Sequence, residues 1–465
     1  MNTALNELLQ IRNRTDDGSV EISGKDPIYS TNFKVAETAA GVLAATGAAV
    51  SDIWEMKTGR RQNVSVDIRH AAAAINSHSY LQFREPDGSY QARPDSPLAQ
   101  MAYDTVKAYQ TKDGRWYLPH FGMKHLKEKV LGILDCEMSM ESIGAAVAKW
   151  DAEELDEAIA EANTCGGIIR SEEEWLKHPH GQALAAQAVV EIEKIGESDP
   201  EPFPEEGPAL NGIRVLDLTR ILAGPVAART LGEHGADVLM IAAKGIPQLK
   251  KFVIDLSHGK RSCFLDLNVS EEAAQLKELI KGADVFSQGY RPGVLDARGF
   301  GAQELAAHRP GLIYTSINCY GSGGSFSDRG GWEQVAQSVT GISHEAGNPP
   351  TLLPVFVCDY MTGYLGAYGT MLALAKRAVE GGSYHVKVSL CQSAMFLQRQ
   401  GRVEYLKEGM GLSDEQVAPL QMDSDTSYGQ IRHLGPVVRF SESVPKWSRP
   451  SPALGGDPAE WLKTS

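Results

Sequence analysis

Four short segments hold the residues best suited to gripping a ligand that combines phosphates with a flat base. They are Thr219-Arg220-Ile221-Leu222-Ala223-Gly224-Pro225, Lys244-Gly245, His258-Gly259-Lys260-Arg261 and Gly289-Tyr290-Arg291-Pro292-Gly293. In the first, a glycine and a helix start would bring backbone N–H groups toward an anion. The others offer basic and aromatic side chains, although each taken alone also reads as an ordinary solvated loop. No GxGxxG, GxSxG or P-loop pattern is present, so the standard dinucleotide, hydrolase and NTPase fingerprints are missing. The six cysteines are scattered without a CxxC pair, which points to reduced, mostly buried thiols. Histidines do not cluster at metal spacing. His178-Pro179-His180 comes nearest, and its proline marks a turn, so no metal site is expected.

The elements around these segments alternate regularly. IRVLDLT (213–219) reads as a buried strand, and GPVAARTLGEHG (224–235) as a helix with Pro225 at its permitted first position. ADVLMI (236–241), SCFLDL (262–267), ADVFSQ (283–288) and GLIYTSI (311–317) continue as strands. Ser270 is expected to cap a helix that ends at Gly282. Short apolar strands alternating with helices predict a parallel sheet covered on both faces, with ligands beyond the C-terminal strand ends. The fold class is therefore α/β, a Rossmann-like large domain with a parallel sheet.

Upstream the pattern differs. Residues 35–72 align without a gap to residues 357–394, sharing Gly41/Gly363, Gly47/Gly369, Gly59/Gly381, Val64/Val386 and Val66/Val388. Each copy reads as a small-residue helix, a glycine turn, an alternating strand and a second helix. Residues 104–178 alternate short strands with charged helices, including a hairpin turning at Lys112-Asp113-Gly114, and suggest a smaller α+β domain. The expected division is a repeat segment (1–100), a small domain (101–193), a linker rich in Pro, Glu and Gly (194–212), the α/β domain (213–400) and a tail returning to it (401–465).

Bulk properties narrow the class. The 465 residues, 42% hydrophobic and 22% charged, suit two or three soluble domains. No apolar run approaches the roughly 20 residues of a membrane span, and the N-terminus lacks the apolar core of a signal peptide. A cytoplasmic protein without membrane partners is expected. The net charge of −14 argues against nucleic acid.

GIRVLDLTRILAGPVAARTLGEHGADVLMI, HGKRSCFLDL, ADVFSQGYRPGVLDARGFG and RPGLIYTSINCYGSGG, in that order, resemble the class III CoA-transferase family. That family includes formyl-CoA transferase, carnitine CoA-transferase and the α-methylacyl-CoA racemases, and the likeness runs over roughly residues 210–395. The tail HLGPVVRFSESVPKWSRPSPALGGDPAEWL and residues 104–178 are similar to the family's C-terminal segment and small domain. The order departs from the family's, because here the small domain precedes the nucleotide-binding half. The chain resembles a tandem duplication without its first nucleotide-binding half, or a permuted copy with overlapping ends.

The resemblance implies an acyl-CoA:carboxylate CoA-transferase with no permanently bound cofactor, acyl-CoA and a small carboxylic acid as substrates, and a homodimer. It places the nucleophile at Asp359 in Cys358-Asp359-Tyr360-Met361-Thr362-Gly363, working through an aspartyl anhydride and thioester. A helix N-terminus there would help keep the carboxylate ionised, whereas the bland alternative is an N-cap worth about 1 kcal/mol. Glu333 falls on an acidic position of the transferases and is expected to support Asp359. Trp332 stands where the racemases carry a catalytic histidine, which disfavours an acyl-CoA racemase or isomerase, the first alternative; the second is a non-catalytic CoA-binding paralogue. For CoA the carry-over falls on Leu222, Ala223, Lys244, Leu265, Gly289 and Tyr290. The family's diphosphate arginine maps to Ala297, with Arg298 next to it. Glu37, which the repeat places opposite Asp359, is expected to be structural or vestigial. No run matches the glycine-rich loop that closes over the nucleophile in the formyl-CoA enzymes.

Overall fold

The computed structural model describes residues 2–15, 17–94, 97–405 and 411–462. Seven strands form the largest sheet: β1 (Glu191–Gly196), β2 (Arg214–Leu218), β3 (Asp237–Ala242), β4 (Lys260–Phe264), β5 (Val285–Gln288), β6 (Ile313–Asn318) and β7 (Ser383–Ser389). Their order is β4-β3-β2-β5-β6-β7-β1, all parallel except β1, which runs antiparallel to β7. The six parallel strands thus follow the doubly wound order, with the chain reversing direction between β2 and β5.

Side-chain alternation divides the sheet's two faces. Val215, Val285 and Ile313 belong to the main core, while Leu216, Phe286 and Tyr314 pack in a separate core on the opposite face. Truncating a residue such as Leu216, which is wholly buried, to alanine would cost about 2–5 kcal/mol. The small domain has its own core around Tyr117, Val130, Leu155 and Ile168, on a three-stranded sheet.

The two copies of the repeat sit side by side. Helix α1 (Thr3–Ile11) precedes α2 (Val35–Thr58), and helix α3 (Ala223–Glu233) follows β2; α4 (Val357–Glu380) packs against both α2 and α3. The residues that open α2 and α4, Lys34 and Phe356, have nearly the same backbone angles (φ −77°, ψ 63° and φ −82°, ψ 62°). Close approach explains one shared glycine. A Cβ on Gly363 would lie 2.5 Å from the Ala223 carbonyl oxygen, and one on Gly41 would lie 2.6 Å from Asn2 Oδ1. α1 therefore sits on α2 as α3 sits on α4. The flanking strands match too: β7 lies between parallel β6 and antiparallel β1, and Val64–Asp67 lies between parallel Val20–Ser23 and antiparallel Arg439–Phe440.

Local boundaries differ from the sequence expectation in three places. α3 starts at Ala223, so Pro225 is its third residue, still within the first turn, where its missing N–H is harmless. Ser270 is the first residue of the helix Ser270–Ile280, whose cap position is Val269 and carries no side-chain bond. The stretch read as a linker from residue 194 begins inside β1, because β7 offers an edge that Glu191–Gly196 can pair with.

Candidate active site

The loops that leave β2 and β5 meet at the point where the strand order reverses, and the Thr219–Leu222 turn is strained there. Ile221 has φ +71°, a left-handed conformation that costs a β-branched residue of order 1–3 kcal/mol. The turn is anchored from below by a buried pair. Asp217 Oδ1 accepts the Thr219 N–H at 3.0 Å, and Asp217 Oδ2 accepts from Lys260 Nζ at 2.8 Å; Lys260 also donates to the Pro225 carbonyl at 3.0 Å. Lys260 is therefore a structural tie joining β2, β4 and α3 rather than a ligand contact. Arg261 is likewise held by Asp237 at 3.1 Å.

Above this turn lies a cavity of about 360 Å³. The large domain contributes Arg220, Ala223, Gly289, Tyr290, Arg291 and Asp359 to its wall. The small domain closes it with His125, Leu126, Asn163 and Cys165, and Arg329 to Trp332 form a further side.

Asp359 is the third residue of α4, not its cap, and Phe356 at the cap position makes no side-chain bond. Glu333 supplies the cap instead. Its Oε2 accepts the Asp359 N–H at 2.6 Å and its Oε1 accepts the Cys358 N–H at 3.1 Å. Gln337 Nε2 donates to Glu333 Oε1 at 2.7 Å, and Gln337 Oε1 accepts the Leu353 N–H at 2.8 Å, so the cap is braced in turn. Asp359 is 9% exposed and reaches the cavity, whereas Glu333 is 2% exposed and stands behind it.

The Ala223 backbone N–H favours the anion of the Asp359 carboxyl. Burial, and then the Glu333 charge, act against it and hold the Asp359 pKa well above the usual carboxylate range. Desolvation and a neighbouring acid thus act against the help that the helix N-terminus gives the carboxylate.

Trp332 lines the cavity and stacks on His120, with ring centroids 4.8 Å apart. His120 Nδ1 accepts the Gly122 N–H at 3.2 Å and its Nε2 is 3.1 Å from Gln334 Oε1. Burial pushes His120 down to about 4, so the ring is neutral and both nitrogens are engaged.

The cations differ in how far they are already neutralised. Arg329 Nη1 lies 2.6 Å from Asp156 Oδ2, and Arg291 Nη1 donates to Asn163 Oδ1 at 2.7 Å, bridging the two domains. Arg220 donates to the Pro247 carbonyl, and its Nε is buried with no hydrogen-bond partner among the described residues.

Of the residues singled out for CoA, Ala223, Gly289 and Tyr290 line the cavity. Leu222 is buried and does not line it, and Leu265 is buried just past β4 with its N–H on the Ala242 carbonyl. Lys244 is exposed, its Nζ 5.8 Å from the centre of the Phe264 ring, and Arg298 donates to Asn268 Oδ1 at 2.8 Å; neither borders the cavity. The sequence reading missed Arg220 and Arg291 as individual contacts although both lie in the segments it picked out. It had no signal for His125, Leu126, Asn163 or Cys165.

A family model described as CoA-transferase family III matches residues 210–421. An acetyl-coenzyme A transferase, nodX, from Hypoxylon pulicicidum is 31% identical over 412 residues, 78% of this chain and 69% of that protein. The chain belongs to CoA-transferase family III. An acyl-CoA transferase from Gibberella moniliformis is 32% identical over 77% of this chain and 73% of its own length. The crystal structure of Rv3272 from M. tuberculosis is 29% identical, with a TM-score of 0.40, over 42% of this chain and 57% of that one. Membership of the family makes the protein a CoA-transferase, an enzyme whose substrates are CoA thioesters. No helix among the described residues is long and apolar enough to cross a membrane, and no metal-binding cluster occurs among them.

Proposed function

We propose that the protein moves coenzyme A from an acyl-CoA to a small carboxylic acid with Asp359 as the covalent nucleophile. The observation that carries this reading is that Asp359 is the sole carboxylate among the described residues lining a cavity that also holds Arg220, Arg291 and Arg329. An anionic thioester substrate would be drawn to the arginines while one protein carboxylate waits beside the strained turn.

In the proposed sequence the Asp359 carboxylate attacks the thioester carbonyl carbon; the C–S bond breaks, giving a mixed anhydride and CoA thiolate. The thiolate attacks the Asp359 carbonyl, releasing the donor acid and leaving CoA as an aspartyl thioester. The acceptor carboxylate then attacks that thioester, and the freed thiolate takes the acceptor acyl group, restoring Asp359. Atoms and charges balance without a redox partner or metal. Glu333 acts as a positioning residue, fixing the first turn of α4, and the Ala223 N–H supports negative charge on the Asp359 oxygens. The small-domain residues His125 and Leu126 would take the water-excluding part of the glycine-rich loop.

The same reading includes a homodimer in the cytoplasm with no resident cofactor. Racemisation is disfavoured because Trp332 stands where the racemases carry their catalytic histidine, and His120, packed on Trp332, has both nitrogens bonded. The test is thioester exchange with a panel of acyl-CoAs and free acids. Mass spectrometry should find CoA attached at Asp359 during turnover and none in Asp359→Ala. Exchange that survives Asp359→Ala overturns the assignment.

A further inference from the structure

A second cavity, of about 470 Å³, lies on one face of β5, β6 and β7. Parallel sheets covered by helices on both faces have strands that read as continuous apolar runs. Here alternate residues on one face are largely polar: Tyr314, Ser316 and Asn318 on β6, and His385, Lys387 and Ser389 on β7. They form the cavity floor. Tyr290 and Asn318 line both this cavity and the one containing Asp359, so the two adjoin. A volume of this size suits a drug-sized ligand.

The wall contains a polar group without a partner. Gln392 is 4% exposed, and its Nε2 donates to the Leu184 carbonyl at 2.6 Å, with the Gln187 carbonyl 3.5 Å away. Those two acceptors fix which end of the amide is nitrogen. Gln392 Oε1 is left buried with no hydrogen-bond partner among the described residues. A buried acceptor without a donor is unfavourable, and a ligand O–H or N–H would recover that loss. Deeper in, Ser316 Oγ accepts from Gln288 Nε2 at 3.0 Å and lies 2.8 Å from His385 Nε2, which burial keeps neutral.

Charge separates the two cavities. The Asp359 cavity has three arginines. This one has Glu191, Asp296 and Lys387, and the Lys387 ammonium is 2.7 Å from Glu193 Oε2. Phosphates and carboxylates therefore belong on the arginine side, and an uncharged group belongs here.

We propose that the sheet-face cavity binds the far end of the acyl group, and that the preferred substrate is a bulky, uncharged acyl chain bearing a hydroxyl or amide N–H that donates to Gln392 Oε1. This rests on the CoA-transfer reading of the adjoining site and names its substrate class. An acetyl group would leave the cavity unfilled.

Calorimetric titration of the full-length protein with acetyl-CoA and with 4-hydroxyphenylacetyl-CoA tests it without requiring turnover. The hydroxyaryl thioester should bind at least about tenfold tighter. Ala188→Trp, on the exposed rim, should abolish that preference and leave acetyl-CoA binding unchanged. Gln392→Met should reduce the preference by removing the acceptor, and the rim variant remains decisive if that core substitution fails to fold. Equal affinity for the two thioesters, or a preference that survives Ala188→Trp, overturns this inference alone. Binding of neither thioester overturns the CoA reading of the whole site together with it.

Discussion

Glu333 Oε2 accepts the backbone N–H of Asp359 at 2.6 Å, so one acidic side chain fixes the backbone that carries another. The arrangement sets order against charge. Glu333 satisfies N–H groups that the start of α4 would otherwise leave open, and its charge opposes ionisation of the side chain it positions.

Asp359→Asn should separate stability from activity. The folded pKa of this carboxyl is raised, so the stability it contributes is complete below its unfolded value, near about 4, and is lost as pH rises through the folded value. Denaturant melts from pH 4 upward should therefore show the asparagine variant gaining relative to the unmodified protein. Under the proposed mechanism transfer should fall by at least about 10³-fold. A variant less stable than the parent at neutral pH would contradict this account of the buried charge.

Glu333→Gln should move a pH profile as well as lower stability. The amide keeps one oxygen but puts an NH2 where a second acceptor stood, so one of three donors loses its partner, at a cost of about 1–3 kcal/mol. Loss of the Glu333 charge lowers the Asp359 pKa, so the rise of rate with pH should begin at lower pH than in the parent. An unshifted profile with reduced stability would leave Glu333 a purely structural cap.

The fold was legible because its strands are short apolar runs separated by helices, as in IRVLDL and ADVFSQ. The strand ends also bring Ala223, Gly289 and Tyr290 to one cavity. Lys260 illustrates the limit. Its position in a basic strand-end segment suggested a ligand, but its partner Asp217 is 43 residues away on a strand not adjacent to its own, and only the sheet order reveals the pair. Asn163 and His125 come from another domain, brought over the site by packing that no local pattern records. Lys244 and Arg298 follow from the family resemblance alone, and neither borders the cavity.

Arg291→Ala should act mainly on substrate binding. The guanidinium joins cavity and small domain through Asn163 at 2.7 Å, and a charged hydrogen bond is worth about 1.5–3 kcal/mol. KM for acyl-CoA should rise about tenfold or more, with kcat changed far less, and Arg291→Lys should recover part of the loss. Steady-state rates against acyl-CoA concentration read this directly. A fall confined to kcat would place Arg291 in the chemical steps instead.

Glu37 tests whether the N-terminal copy of the repeat retains chemistry. It is the third residue of α2, as Asp359 is of α4, and Asp26 Oδ2 accepts its backbone N–H at 2.7 Å, as Glu333 does for Asp359. The local device is therefore reproduced, but the surroundings are not. α1 occupies the place of α3, Lys34 Nζ lies 3.5 Å from Glu37 Oε2, and Glu37 does not line the cavity around Asp359. Glu37→Gln should consequently leave transfer rates unchanged. Asp26→Ala removes the acceptor from the Glu37 and Ile28 N–H groups and should cost about 1–2 kcal/mol, the usual loss of a helix-terminal cap. Parallel rate and denaturation measurements on the two variants check both statements, and a large loss of transfer in Glu37→Gln at full stability would mean that a second carboxylate takes part in catalysis.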